Sequence, residues 1–302
     1  MATTDSEGSD AGLGALGSGA LGPGAPSVDA LRLDAALADR GLARSRTHAA
    51  RLIADGLVTV DGVAQVKPSA RVRADQTIEV AGTDHYVSRA AHKLIAALDS
   101  FDIDPRGRIA LDAGASTGGF TQVLLERGVA RVLAVDVGHG QLSSKIQEIG
   151  NVTSVEGFNI REISREWVEE QLRSPENSTT HEATAPELPD LVVADLSFIS
   201  LGLVLEPLRD SVEKGADFVL LVKPQFEVGR GGIKEGIVRD AGLRQDAVSN
   251  ILWAAWDLGL GTAGIAPSPI AGAAGNREYL VWLSSSAGTN PTEWIDTVSQ
   301  LV

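Results

Sequence analysis

Residues Leu111 to Phe120 read LDAGASTGGF, and the fold of most of the chain turns on this stretch. An apolar run from Ile109 to Asp112 has the length and composition of a buried strand, and Gly114, Gly118 and Gly119 then carry the backbone into a helix. Glycines let the chain turn sharply and approach a ligand at the carboxyl end of a parallel sheet, where such folds bind cofactors. Ser116 stands where the dinucleotide fingerprint has its second glycine, the one that clears room for a pyrophosphate. Asp136 closes the next apolar run, and an acid there accepts hydrogen bonds from both ribose hydroxyls of a nucleoside. A glycine-rich turn alone is no more than a tight connection. Together, the loop residues Gly114, Ser116, Thr117, Gly118 and Gly119 and the strand-ending Asp136 predict a cofactor that carries a nucleoside and needs no pyrophosphate. Asp112 is placed to reach the reactive end of that cofactor or to brace the loop, and Asn159, after the third strand, to approach the base.

Outward from this loop the apolar runs Val132 to Asp136, Val152 to Val155, Leu191 to Asp195 and Phe218 to Val222 alternate with helical stretches, and Tyr279 to Leu283 reads as a final strand. That alternation predicts an α/β, Rossmann-type domain over 89–302, with a mainly parallel sheet covered on both faces. Its first helix has Ala91, Leu94, Ile95 and Leu98 on one face behind Ser88 as N-cap, and the polar segment Ser174 to Pro189 reads as a mobile surface loop.

Upstream, residues 28–82 form a smaller α+β unit. Helices are expected from about Ala30 to Asp39 and from Arg46 to Asp55, the second capped by Ser45. Asp61-Gly62 between β-branched runs is a strong hairpin signal, and Thr77 to Val80 supplies another strand. Residues 83–88 are a linker. Residues 1–27 are mostly Gly, Ala, Ser and Pro with three acids and no aromatic, so they are expected to be a disordered tail.

The net charge of −14 over 302 residues argues against a nucleic-acid partner when read as one number. Its distribution reads differently: from Val28 to Lys93 there are ten Lys or Arg against eight Asp or Glu, so this stretch is +2 and the remainder −16. Arg44 and Arg46 at the start of the second helix, Arg51 within it and Lys67 after the hairpin are the candidate phosphate contacts. The absence of cysteine excludes disulfides and thiolate chemistry, and no metal-ligand cluster stands out. No run approaches the roughly 18 apolar residues of a membrane span and no signal peptide is evident, so a cytoplasmic protein is expected, with neither membrane nor obligate protein partner.

Charged residues that end central strands are aimed at the ligand crevice, and two do so here: Asp195 in ADLSFIS and Lys223 in LVKPQFEVG. A lysine with an ordinary pKa of about 10.4 becomes a base for a hydroxyl proton when its surroundings lower that value to roughly 7 to 8. Lys93, early in the domain's first helix, and Glu278, before its last strand, complete a candidate tetrad. A lone surface Lys or Glu is ordinarily solvated and inert, and sequence spacing does not show that the four converge.

At these motifs the chain resembles the TlyA family. The likeness runs from Leu31 to Leu283 through RLDAALADRGLARSR, VSRAAHKL, LDAGASTGGFTQVLLERG, AVDVGHGQL, ADLSFISL, VKPQFEVG and SPIAGAAGNREYLVWL. It implies an FtsJ-like methyltransferase domain behind an S4-like RNA-binding domain, with S-adenosylmethionine as cofactor. It further implies cytidine 2′-hydroxyls of ribosomal RNA, in one or both subunits, as targets, and a catalytic Lys-Asp-Lys-Glu tetrad whose positions match Lys93, Asp195, Lys223 and Glu278. The chain differs from the family pattern in three places: its linker reads DHYV where a tryptophan is usual, EGFNIRE replaces a common Arg-Thr-Asn, and the extreme N-terminus is acidic rather than basic. Three competing readings make distinct demands. A non-catalytic ribosome-binding factor would tolerate loss of Lys223. An NAD-dependent oxidoreductase would need the clearance that Ser116 removes, and a hemolysin-like membrane-lytic protein would need a basic amphipathic or spanning helix, which the sequence lacks.

Overall fold

The computed structural model describes residues 30–43, 45–80, 85–173, 187–272 and 275–302. The expected tail, most of the polar segment after Ser174, and Arg44 lie outside the described residues. The chain divides into two compact units between Asp84 and His85.

In the first unit, strand β1 (Leu31–Arg32) leads into helix α1 (Leu33–Asp39), then α2 (Arg46–Ala54), β2 (Val58–Val60), β3 (Val63–Gln65), β4 (Arg71–Val72) and β5 (Ile78–Val80). The first helix starts three residues later than Ala30. Leu31 and Arg32 are extended and pair antiparallel with Val72 and Arg71, and the helix's first N–H groups are taken by loop carbonyls, Leu33 N to Ala70 O and Asp34 N to Pro68 O. An extended approach is what lets those carbonyls, rather than a capping side chain, satisfy the helix start. Helix α2 is capped as its sequence suggests, Ser45 Oγ accepting from His48 N at 3.1 Å. At the hairpin both Asp61 and Gly62 have positive φ, 50° and 77°, the condition a two-residue primed turn imposes. Strand β2 lies between β3 and β5, and Leu33, Leu37, Ile53, Val58, Val72 and Ile78 form the core.

The second unit opens with helix α3 (Ala91–Phe101). Ser88 is not its N-cap: the Ser88 hydroxyl accepts from Ala90 N in the turn that precedes the helix. There follow β6 (Ile109–Ala113), α4 (Gly119–Glu126), β7 (Arg131–Asp136), α5 (Ser144–Gln147), β8 (Val152–Glu156), α6 (Arg165–Leu172), β9 (Leu191–Ala194), α7 (Leu205–Ser211), β10 (Asp217–Val222), α8 (Pro224–Glu227), α9 (Ala241–Asp257), β11 (Gly261–Pro267), β12 (Tyr279–Ser284) and α10 (Ile295–Leu301). Among the described residues these strands make one seven-stranded sheet in the order β11-β12-β10-β9-β6-β7-β8. Strands β10, β9, β6, β7 and β8 are parallel, and β12 runs antiparallel to both its neighbours.

Alternation along the strands divides the core. In β9, Leu191 and Val193 pack with α3 and α4, while Val192 and Ala194 pack with α6, α7 and α9. Burial on both faces is why these strands read as unbroken apolar runs. Strand β11 was not legible in GTAGIAP: it admits Phe101 over Gly264, where a Cβ would stand 2.6 Å from the ring. The strand order reverses between β6 and β9, so the crevice at their carboxyl ends is the topological switch point where open α/β sheets take ligands.

Candidate active site

Four charged side chains meet at this edge. Lys223, the residue after β10, places Nζ 2.6 Å from Asp195 Oδ1, and Asp195 is the residue after β9. Lys93, in the first turn of α3, donates to Asp195 Oδ2 at 3.2 Å and to Glu278 Oε2 at 2.7 Å. The structure therefore brings all four sequence candidates into one chain of ion pairs, Lys223 to Asp195 to Lys93 to Glu278. Both lysines and Glu278 are buried, and Asp195 keeps only partial access. Burial works to raise the Asp195 pKa, but Lys223 and Lys93 outweigh it and hold the carboxyl below its ordinary value. Two cations facing two carboxylates leave the cluster electrically balanced, which is what makes its burial tolerable.

Sequence reasoning missed two neighbours. Lys223 Nζ also donates to Ser197 Oγ at 3.0 Å. Beside it Phe198 is 92% exposed with φ of 65°, its ring 5.4 Å from that of Phe226. In the run LSFISL both residues read as part of an apolar segment, and only their spacing of two and three from Asp195 could have singled them out.

The glycine loop leaves β6 at the same edge. Gly114 and Gly118 have φ of 86° and 93°, as its turns require. Protein, not open crevice, fills the space a side chain would take: a Cβ would stand 3.0 Å from Leu196 at Gly114, 2.8 Å from Leu142 at Gly118 and 2.9 Å from Ser88 at Gly119. The glycines thus seat the loop against the segments that carry Asp195 and Lys93. Ser116 sits exposed at the loop's tip with φ of 48°, and Thr117 follows it, its carbonyl accepting from Ser143 N.

Asp136 Oδ2 accepts from Ser116 N at 2.8 Å and Oδ1 from Gly138 N at 2.7 Å. A carboxylate has about four acceptor sites, so two remain for a diol, and the carboxylate is already oriented. Asp112 is fully buried, with Oδ2 accepting from Thr121 Oγ1 of α4 at 2.6 Å. This hydrogen bond ties the end of β6 to α4, the helix that follows the glycine loop. Oδ1 has no hydrogen-bond partner, and burial, aided by Asp195 and Asp136, raises the carboxyl to about 7 against the Thr121 hydrogen bonds. Asn159 is exposed after β8, its amide engaged locally with Arg161 N and Glu162. Glu156, at the end of β8, accepts from the backbone N–H groups of Gly140, Gln141 and Leu142, which lowers its pKa and fixes the loop beyond Asp136.

In the first unit, Asp34 gathers cations. Its carboxylate takes Arg32 at 3.1 Å and Arg46 at 3.3 Å, and the Arg32 hydrogen bond leads the effects that hold its pKa to about 2. Lys67 precedes Pro68, whose carbonyl accepts from Asp34 N, so the Lys67 backbone adjoins the start of α1, where Arg32 and Arg46 pair with Asp34. Arg51 stands apart: five residues beyond Arg46 on α2, it lies about 140° around the helix. Arg32, two residues before Asp34, was not among the sequence candidates. Among the described residues no cluster of potential metal ligands occurs and no helix is long and apolar enough to cross a membrane.

The family model for FtsJ-like methyltransferases matches residues 86–285, and that for the S4 domain matches residues 31–78. The chain is 46% identical to the 16S/23S rRNA (cytidine-2′-O)-methyltransferase TlyA of Mycobacterium tuberculosis, over 80% of this chain and 85% of that one. It is 38% identical to Hemolysin A of Brachyspira hyodysenteriae, over 78% and 92%. A solved hemolysin-named structure from Streptococcus thermophilus superposes with a TM-score of 0.68 at 34% identity, covering 91% of this chain and 96% of that one. With both units matched and a curated relative aligned along most of its length, the chain belongs to the TlyA family of FtsJ-like methyltransferases.

Proposed function

We propose that the protein transfers the methyl group of S-adenosylmethionine to a ribose 2′-hydroxyl of ribosomal RNA, with cytidine as the target nucleotide, as the name of the Mycobacterium tuberculosis relative states for that enzyme. The observation that carries this reading is the buried Lys223–Asp195–Lys93–Glu278 chain standing beside a glycine loop whose Gly114 lies against Asp195 and Leu196. The donor set suits a nucleoside: Asp136 has acceptor capacity left for a ribose diol, the loop from Gly114 to Gly119 forms the adjoining wall, Asn159 is assigned the adenine side, and Asp112 braces the floor. When bound, S-adenosylmethionine supplies an electrophilic methyl group on sulfonium.

The chain's own groups do the rest. A hydroxyl is a poor nucleophile and gains most from being held in line and relieved of its proton. Lys223, once it has released to solvent the proton it holds in the ion pair, takes the hydroxyl proton as a neutral amine, and Asp195, 2.6 Å away, balances the ammonium that results. Lys93 and Glu278 hold Asp195 in place from its other oxygen. The exposed Phe198 ring offers a stacking face for a nucleobase, and Arg32, Arg46 and Lys67 offer phosphate contacts that fix register on folded RNA.

The test is transfer of tritiated methyl from labelled S-adenosylmethionine to isolated small subunits, large subunits and intact ribosomes, followed by mapping of the modified nucleotide. Label on a ribose 2′-oxygen is expected. Label on a base, or none on any ribosomal substrate, overturns the reading.

A further inference from the structure

Two loops leave the neighbouring strands β9 and β10, and each delivers one charged group to the site, Asp195 and Lys223. They are stapled together again further out. Ser197 Oγ accepts from Lys223 Nζ at 3.0 Å. Three residues on, Ser200 Oγ donates to Glu227 Oε2 at 2.5 Å and Leu201 N donates to Glu227 Oε1 at 2.9 Å. Glu227 ends α8, the short helix that begins directly after Lys223 and carries Phe226. Phe198 lies between the two pins.

Its backbone is the telling feature. A φ of 65° is rare for a bulky side chain and persists only where the surroundings over-determine it. The pins at Ser197 and at Ser200–Leu201 are those surroundings, and what they hold in place is a solvent-facing aromatic ring on the residue next to the Ser197 that Lys223 contacts. Glu227 itself contacts no member of the tetrad in its hydrogen bonds, yet it is partly buried, and burial raises its pKa against the Ser200 and Leu201 hydrogen bonds. An acid kept in that position is there for the two donors it accepts.

We propose that Glu227 is a positioning residue for the RNA substrate, holding the segment from Ser197 to Leu201 in the strained form that presents Phe198 as a nucleobase platform at the methyl-transfer site. The proposal rests on the reading of that site as an RNA methyltransferase centre.

The full-length protein is assayed on isolated ribosomal subunits at saturating S-adenosylmethionine, with Glu227→Ala, Glu227→Gln, Phe198→Gly and the Phe198→Gly/Glu227→Ala double variant. Loss of one base–aromatic stack corresponds to a rise of about tenfold in KM for RNA, and that rise is expected for Phe198→Gly and Glu227→Ala alike, with kcat within about twofold and cofactor affinity unchanged. The double variant is expected to be no worse than either single one, because Glu227 acts through the ring. Glu227→Gln should recover most of the loss, since its carbonyl accepts from Leu201 N and its amide can donate to Ser200 Oγ. Phe198→Gly should also melt higher than the wild type, as glycine carries no left-handed penalty. Should Glu227→Ala not fold, Ser200→Ala removes one pin and carries the same expectation for KM. Unchanged KM in Glu227→Ala or Ser200→Ala, with KM raised in Phe198→Gly, overturns the role given to Glu227, as does a multiplicative loss in the double variant. Unchanged KM in Phe198→Gly overturns the platform, and a wild-type protein that transfers no methyl group overturns the underlying reading of the site instead.

Discussion

Replacing Lys223 with alanine removes the one cation that contacts both Asp195 Oδ1 and Ser197 Oγ. Stripping the sole partner from a buried carboxylate costs about 3–5 kcal/mol. Here Lys93 remains 3.2 Å from Asp195 Oδ2 and the carboxylate keeps partial access to solvent, so the loss in stability should be nearer 1–3 kcal/mol and the protein should fold. The chemical loss is separate. Proton removal by a positioned base contributes about 10²–10⁴-fold, and among the described residues the polar partners of Lys223 are Asp195 and Ser197 rather than the glycine loop or Asp136, so kcat should fall by that factor with cofactor affinity unchanged. Steady-state transfer of tritiated methyl at saturating cofactor and RNA measures kcat, single-turnover transfer isolates the chemical step, calorimetry measures cofactor affinity, and thermal melting measures the fold. Lys223→Arg separates charge from proton transfer, because a guanidinium keeps the cation beside Asp195 but does not deprotonate. It should be as inactive as alanine. A folded Lys223→Ala retaining kcat within tenfold, or an arginine variant restoring it, refutes the role assigned to the lysine.

Asp136→Ala should weaken S-adenosylmethionine binding by about 1.5–3 kcal/mol, the worth of charge-assisted hydrogen bonds, and unchanged affinity by calorimetry would remove the diol site from Asp136. Asp112 is raised in the folded protein to about 7 from an ordinary 3.8, so its contribution to stability is fully present below about pH 4 and is lost as pH rises through about 7. Asp112→Asn should flatten that fall in melting temperature over the same window, and an identical pH profile would count against the burial argument. Replacing Arg32, Arg46 and Lys67 together with alanine should lower the salt slope of RNA binding by roughly 0.7–0.9 log units per lost contact and leave cofactor affinity alone. An unchanged slope would make that face solvated surface.

The fold was legible where local pattern and tertiary burial agree. Strands β6, β7, β9 and β10 are buried on both faces, so each appears as an apolar run closed by a charged or small residue, and the Asp61-Gly62 turn follows from backbone demands alone. Legibility failed where distant partners decide. Leu31 and Arg32 are extended because carbonyls some 35 residues away, at Pro68 and Ala70, take the first N–H groups of α1. Strand β11 carries Gly264 where Phe101 must fit, a contact that no window of sequence contains.

For the site the same division applies, with topology doing the assembling. In a parallel sheet every strand ends at one edge, so charged residues closing β9 and β10 must be neighbours there, and Asp195 and Lys223 could be paired from their positions alone. Glu278 reaches that edge by the opposite route. It precedes β12, which is antiparallel, and the pairing of Tyr279 with Val222 brings the beginning of β12 beside the end of β10. An acid before an antiparallel strand and a lysine after a parallel one are therefore equivalent places, a fact visible only once strand directions are known. Lys93 comes from a helix, and its convergence depends on how α3 packs; Gly119 is where that packing is set, since a side chain there would strike Ser88 and approach Ala91 N. Ser197, Phe198 and Glu227 had no such signal. Their places follow from a loop closed on itself by hydrogen bonds between two strand ends, and an exposed phenylalanine in LSFISL looks like core until its backbone is seen held at positive φ.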